Sequence, residues 1–273
     1  MKHKPRFDQL VAACHYEQGE RQYEAMIAIN HYYPDRASKV FIELLDSSDM
    51  TVRFKAAKLL GEPGEKDIEV VAAALIKALD DSSYMVRSEA LKSLIRLRYP
   101  SVQKYALLLL HSDSAWQVRS TAAEAVGFLN DPTALAEIEA TLQEEASPAV
   151  RASAVRSIGV LASSDYAQVL ERYLSTEAAP AVRRELFAAL YRLGDRTQLQ
   201  SLLSLLHEAS SETALSILFT IHFLIAYRPP ASLAADAPAI RKAVTDLATH
   251  FPTFSFEAQS LLGSLAQLTD SRS

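Results

Sequence analysis

The sequence predicts an all-α protein, a right-handed α-solenoid (superhelix) of about seven stacked antiparallel helix pairs. Three observations predict it. The dipeptide Val-Arg recurs at Val52-Arg53, Val86-Arg87, Val118-Arg119, Val150-Arg151 and Val182-Arg183, at steps of 34, 32, 32 and 32 residues. A fixed period of this length marks a stacked array of supersecondary units. Apolar residues follow each arginine at helical spacing, and a short polar turn precedes each copy. Only seven glycines among 273 residues, with 49% hydrophobic and 22% charged residues, favour helix throughout a folded chain.

Each element of the unit has its own justification. Three positions after the arginine stand Ala56, Ala90, Ala122, Ala154 and Leu186, and four after stand Ala57, Leu91, Ala123, Val155 and Phe187. Seven after stand Leu60, Leu94, Val126, Ile158 and Leu190. With the preceding valine these positions form one stripe of an amphipathic helix, and the small residues let a neighbour approach closely. Before each helix lies a turn such as Asp80-Asp81-Ser82-Ser83 or Glu144-Glu145-Ala146-Ser147. Asp49, Ser83 and Ser147 stand at N-cap positions, and Pro148 and Pro180 suit a first helical turn. A further apolar helix precedes every turn, for example 40–45, 72–79, 105–110, 138–142 and 169–174. Two helices per 32 residues cannot bury both faces alone, so they must stack on their neighbours.

The chain therefore reads as one solenoid over 1–273. Residues 1–36 form a degenerate N-terminal cap repeat around Arg21, 37–194 the regular repeats, and 195–273 degenerate C-terminal repeats. Leu215 replaces the arginine in the register, and Arg228-Pro229-Pro230 precedes two last helices near 237–250 and 254–268. On the apolar segment 214–227, His222 is expected to be a partly buried, hydrogen-bonded core residue. That segment is too short to span a bilayer. No apolar region follows Lys2, Lys4 and Arg6, so no standard signal peptide is expected, and the single Cys14 fits a reducing compartment. The expected location is the cytoplasm.

An acidic turn followed by Val-Arg-x-x-Ala-[Ala/Leu]-x-x-[Leu/Val/Ile]-Gly resembles the HEAT repeat, more narrowly the short bacterial variety named after phycobilisome bilin lyases. The resemblance implies that the repeat arginine pairs with an acid of a turn to form a ladder along the stack. Asp81, Asp113, Glu145 and Glu177 stand six positions before an arginine, and Asp46 stands seven before Arg53. These acids, with Arg53, Arg87, Arg119, Arg151 and Arg183, are expected to serve the stability of the stack.

No catalytic constellation is present in the sequence. The seven histidines are scattered, with no metal-binding spacing, and no cofactor or metal site is expected. The HEAT-like deoxyhypusine hydroxylases bind iron through several His-Glu pairs, whereas this chain has only His207-Glu208. HEAT-like alkylpurine glycosylases use aromatic and acidic residues in a basic groove, whereas the single tryptophan, Trp116, falls at a turn. Cys14-His15 point to different sides of a helix. A net charge of −5 argues against general nucleic-acid binding.

The resemblance places the second helix of each pair on an inner, concave surface. Its expected exposed residues, Phe54, Lys55, Lys58, Lys92, Arg96, Phe128, Arg156, Arg184 and Arg192, lean basic within an acidic protein. The expected function is a non-enzymatic protein-interaction scaffold or adaptor (an assembly factor, regulator or immunity protein) that binds an acidic segment of another protein on this face. The sequence leaves the oligomeric state open between monomer and heteromer. The alternatives are a bilin lyase-like enzyme or enzyme subunit and, third, a nucleic-acid-binding HEAT-like protein. A tyrosine cluster, Tyr32 and Tyr33 with Tyr16 and Tyr23, reads as either a cap or an exposed patch.

Overall fold

The computed structural model describes residues 4–62, 67–207 and 209–270. Every regular element among them is helical. The chain forms two compact units, Met1–Leu129 and Asn130–Ser273.

In the first unit the helices are α1 (Phe7–Tyr16), α2 (Glu20–Tyr32), α3 (Pro34–Leu44), α4 (Met50–Leu60), α5 (Ile68–Ala78), α6 (Tyr84–Arg96), α7 (Val102–Ser112) and α8 (Trp116–Leu129). The second holds α9 (Leu135–Glu144), α10 (Pro148–Leu161), α11 (Ala167–Thr176), α12 (Pro180–Arg192), α13 (Thr197–Ser204), α14 (Ser211–Ala226), α15 (Leu233–His250) and α16 (Ser255–Asp270). Short 3-10 turns lead into α9, α11 and α16. The helices alternate as first and second members of eight pairs among the described residues, one more than expected. The extra pair arises because residues 7–16 form a full helix against α2. The α15 helix starts at Leu233, four residues earlier than expected. Pro238 sits close enough to its N-terminus that only the bond to the Ala234 carbonyl is forfeited.

Within each unit the second helices of consecutive pairs pack side by side, α2 on α4, α4 on α6 and α6 on α8, then α10 on α12 and α12 on α14. This is the α-solenoid arrangement, and the repeat positions explain it. Val52, Val86, Val118, Val150 and Val182 are buried, as is every residue three or seven positions after the arginine. Four after, all are buried except Phe187, which packs half-buried on the edge of the second unit's core. Burying such a stripe contributes roughly 1.5–3 kcal/mol per large aliphatic side chain relative to exposure, which secures a stack whose helices are short.

Small residues set the spacing. A Cβ added at Gly159 of α10 would lie 2.9 Å from Ala189 Cβ and 3.3 Å from Arg192 Nη1, and one at Gly61 would lie 2.5 Å from Ser93 Oγ and 2.8 Å from Arg96 Nη2. Neither contact is tolerable without movement, so these glycines fix how closely adjacent second helices approach.

His222, expected in the core, is exposed instead. With Leu215 and Phe219 it lies on the outer side of α14, opposite the buried Ile217, Leu218, Ile221 and Leu224. Cys14 is fully buried, and burial pushes its thiol up to about 12, which disfavours the thiolate. No described helix is long and apolar enough to cross a membrane.

Candidate functional site

The turns between paired helices hold the repeats in register. In the first unit, Arg53 Nε and Nη2 donate to the Asp81 carboxylate at 2.7 and 2.9 Å, and Arg87 makes the same fork to Asp113 at 2.7 and 2.7 Å. In the second unit, Arg151 does so to Glu177 at 3.0 and 3.0 Å. Each arginine thus reaches forward to the acid of the following repeat. Its remaining nitrogen, Nη1, turns back to the carbonyl six residues before it: Ser47, Asp81, Asp113, Glu145 and Glu177 for the five copies in order. The acids also brace their own turns, because Asp81, Asp113, Glu145 and Glu177 accept from the backbone N–H two residues on at 2.8 Å.

Burial would raise the Asp81 and Asp113 carboxyls, but the arginine forks and backbone donors prevail and hold both below the usual carboxylate range. The fork from Arg151 is the leading reason that Glu177 is lowered likewise. Two ladder positions behave differently. Asp46 lies one residue off register, its side chain is 71% exposed, and it accepts from Lys77 at 2.9 Å rather than from any repeat arginine. Six residues before Arg53, where the other turns carry an acid, stands Ser47. Arg183 donates to the Leu174 and Glu177 carbonyls and covers the Phe187 ring at 5.7 Å. Thirty-two residues beyond Glu177 stands Ala209, which has no carboxylate.

The basic residues assigned to the partner face divide by unit. In the first unit, Lys58 and Lys92 are exposed and Phe54 is half-buried. Phe128 is 40% exposed. Lys55 holds its ammonium 4.2 Å over the Tyr23 ring, so it is partly committed to the fold. Arg96 donates to Glu89 Oε1 at 2.7 Å and to Ser93 Oγ at 2.7 Å, with its side chain 36% exposed. A cation–acceptor network therefore stands beside two solvated lysines.

In the second unit the expected face is internal. Arg156 Nε and Nη2 donate to the two Glu185 oxygens at 3.2 and 2.9 Å, and Thr220 Oγ1 donates to Glu185 Oε1 at 2.6 Å. Arg184 Nε donates to Thr220 Oγ1 at 3.0 Å and lies 3.6 Å from Glu185. Glu185 is 1% exposed. Burial pushes its carboxyl up, but the charge and hydrogen bonds of Arg156, helped by Thr220 and Arg184, more than offset this and keep it lowered. Arg192 is 9% exposed and donates from Nη2 to the Phe223 carbonyl at 3.2 Å. Arg156, Arg184 and Arg192 are thus corrected from groove residues to members of a buried network. Lateral packing of α10, α12 and α14 inserts Glu185 and Thr220 between cations that a single helix would expose.

Of the tyrosines, Tyr33 donates to the Pro5 carbonyl at 2.7 Å and stacks edge-on against Phe7 at 5.1 Å, whereas Tyr16 is 87% exposed. The His207-Glu208 pair falls at Glu208 outside the described residues.

Comparison with known proteins agrees with this geometry. The HEAT repeats family matches residues 72–147 and 136–218, together just over half of the chain. No curated protein matches the sequence. Among solved structures, the complex of CpcE and CpcF of phycocyanin lyase from Nostoc sp. PCC7120 is similar, with a TM-score of 0.59 and 20% identity, covering 85% of this chain and 94% of that one. The Escherichia coli protein YibA is also similar, with a TM-score of 0.56 and 17% identity, covering 96% of this chain and 93% of that one. At these identities the two likenesses show the fold. The chain is a HEAT-repeat protein.

Proposed function

We propose that the chain is a protein-interaction scaffold whose partner carries an acidic segment. The carrying observation is that Lys58 and Lys92 stand exposed at the same register of α4 and α6, with Phe54 and Phe128 as apolar anchors on α4 and α8. The arginines that share their register in the second unit are consumed by the fold. The docking face is therefore reduced to the first unit, to Phe54, Lys55, Lys58, Lys92, Arg96 and Phe128. Complementary charge at such a face speeds encounter and fixes register, while the aromatics contribute affinity. The unbroken 32-residue step from Arg119 to Arg151 supports reading the chain as one continuous array. Cytoplasmic residence fits the single buried cysteine.

Affinity capture from the native host with the wild-type chain and with Lys58→Glu/Lys92→Glu tests this. A partner held by the wild type and lost by the double variant, whose helicity is unchanged, is the expected result. A partner held equally by both removes the basic face from the reading.

The likeness to a phycocyanin lyase complex favours a second reading, in which the chain is a bilin lyase-like enzyme or subunit. Addition of free bilin to the purified protein tests it through the visible absorption band that binding would perturb. An unchanged spectrum removes it.

A further inference from the structure

The second unit contains a cavity of about 420 Å³ walled by the ends of α10 and α12 and the turn after α14, with Gly159, Ala162, Ser163, Arg192, Arg228 and Pro230 among its lining. Its charge is out of balance. Arg156, Arg184, Arg192 and Arg228 converge on this region, and Glu185 is the carboxylate among them. Both Glu185 oxygens are already bonded to Arg156, and Oε1 also to Thr220. The charge of Glu185 reaches Arg192 and the Phe223 ring lies 5.6 Å from its guanidinium carbon, but no carboxylate is bonded to it. Its side chain, nine-tenths buried, donates one bond, from Nη2 to Phe223, and its Nε is buried with no partner. Nη1 lies against the bare backbone of Gly159, on the cavity wall.

Across the cavity Arg228 sits in the left-handed region at φ 46°, a conformation that an arginine rarely adopts. Its Nη1 donates to the Val160 and Ala162 carbonyls, which anchors the guanidinium at the end of α10. The bonds of this exposed, cavity-lining side chain are all made by Nη1, which leaves Nε and Nη2 to a ligand. The one acid bonded to a lining side chain is the exposed Asp165, which accepts from Ser163 Oγ and so sits at the rim.

A buried guanidinium with open donors is destabilising unless an anion completes it. Contrast within the molecule sharpens the point. Arg96 holds the same repeat position as Arg192, nine residues after the repeat arginine and beside a glycine of the preceding repeat, yet it is neutralised by Glu89. Glu185 holds the position of Glu89 but is turned away to Arg156.

We propose that this pocket binds a phosphate group, free or carried on a small metabolite, with Arg192 and Arg228 as its paired cationic ligands and Ser163 at its mouth. Two guanidinium groups call for about two negative charges, which a phosphate monoester supplies near neutral pH and a single carboxylate does not. The cavity is larger than inorganic phosphate requires, which leaves room for an organic portion. This inference stands independently of the docking face on the first unit.

Calorimetric titration of the full chain at constant ionic strength tests it, with inorganic phosphate, glycerol phosphate and acetate as probes. Phosphate binding that acetate does not reproduce is expected, weakened by about tenfold or more in Arg228→Ala, whose side chain lies at the surface. Arg192→Met is expected to lose binding, and its thermal midpoint is no longer raised by phosphate. Tighter binding of glycerol phosphate than of inorganic phosphate identifies a carried group, and equal binding identifies the free ion. Absence of phosphate binding, equal binding of acetate, or affinity unchanged in Arg228→Ala overturns the proposal.

Discussion

Arg96 and Arg192 are the same residue of the same repeat written twice, and the two units treat them oppositely. In the first unit, Arg96 is neutralised by the glutamate about two turns earlier on its own helix and keeps a third of its side chain in solvent. In the second, the equivalent glutamate lies between α10 and α14, bonded to Arg156 of the one and Thr220 of the other, and Arg192 is buried with no bond to it. One repeat sequence therefore yields either an ion pair whose arginine reaches solvent or a buried network with surplus positive charge. Which one forms depends on the neighbouring second helix: Arg156 on α10 draws Glu185 away, whereas its counterpart on α4, Lys58, is exposed and leaves Glu89 to Arg96. Local sequence supplies the groups, and stacking decides their partners.

Truncating the two glutamates measures that difference most directly. Glu185→Ala strands several buried cations and is expected to cost about 3–5 kcal/mol. Glu89→Ala leaves Arg96 able to turn to water and is expected to cost about 1 kcal/mol. Chemical denaturation of the two variants gives both numbers, and similar losses would show that the networks do not differ. The same comparison has a pH signature. Glu185, Asp81, Asp113 and Glu177 all have lowered folded-state values, so the stability they contribute is present above the unfolded carboxylate range near pH 4 and is lost as pH falls through the folded values. Glu185→Gln is expected to shallow the acid limb of a helicity titration.

The ladder gives the next largest effect. Arg87→Ala removes a fork to a carboxylate that is 4% exposed and is expected to cost about 2–3 kcal/mol. Arg183, whose donors reach carbonyls, is expected to lose about 1 kcal/mol on the same change. Equal thermal shifts in the two variants would mean that the forward acid adds nothing. Gly159→Ala is expected to cost about 1–2 kcal/mol, the strain against Ala189 outweighing the gain in helix propensity. Full stability in this variant would show that α10 and α12 can separate freely. The smallest effect belongs to Lys58→Glu/Lys92→Glu, expected to change stability by about 0.5 kcal/mol or less because both side chains are solvated.

Much of the core was legible because a helix repeats its facing positions at a fixed interval. Val52, Ala56 and Leu60, and their equivalents, could be assigned before any coordinates. The ladder acids were legible as residue types but not in direction. The spacing of six points to the arginine of the same turn, yet the carboxylate answers the arginine 26 or 28 residues before it, a tertiary pairing. Arg156, Arg184 and Arg192 were misplaced for the same reason, since they occupy the solvent side of an isolated helix. A signal for the network did exist: Glu185 and Glu89 stand two after a repeat arginine, at an otherwise apolar or small-residue interface. His222 misled because the register predicts helix phase well only where the neighbouring repeat continues, and the array degenerates after Arg183.

The forward reach of each arginine has an evolutionary consequence. Because the forks of Arg53, Arg87 and Arg151 each join one repeat to the acid of the next, and each acid closes its own turn, excising residues 82–113 in one piece would bring Ser114 directly after Asp81. Arg53 would still meet Asp81, and Arg119 would stand six residues beyond it, as Arg87 does now. Loss or duplication of a whole repeat therefore preserves the ladder's bonds, while loss of α6 alone removes Arg87 and its fork to Asp113. Chain length in such a protein can drift in steps of 32 residues, and selection on the turn chemistry alone is enough to enforce that quantum.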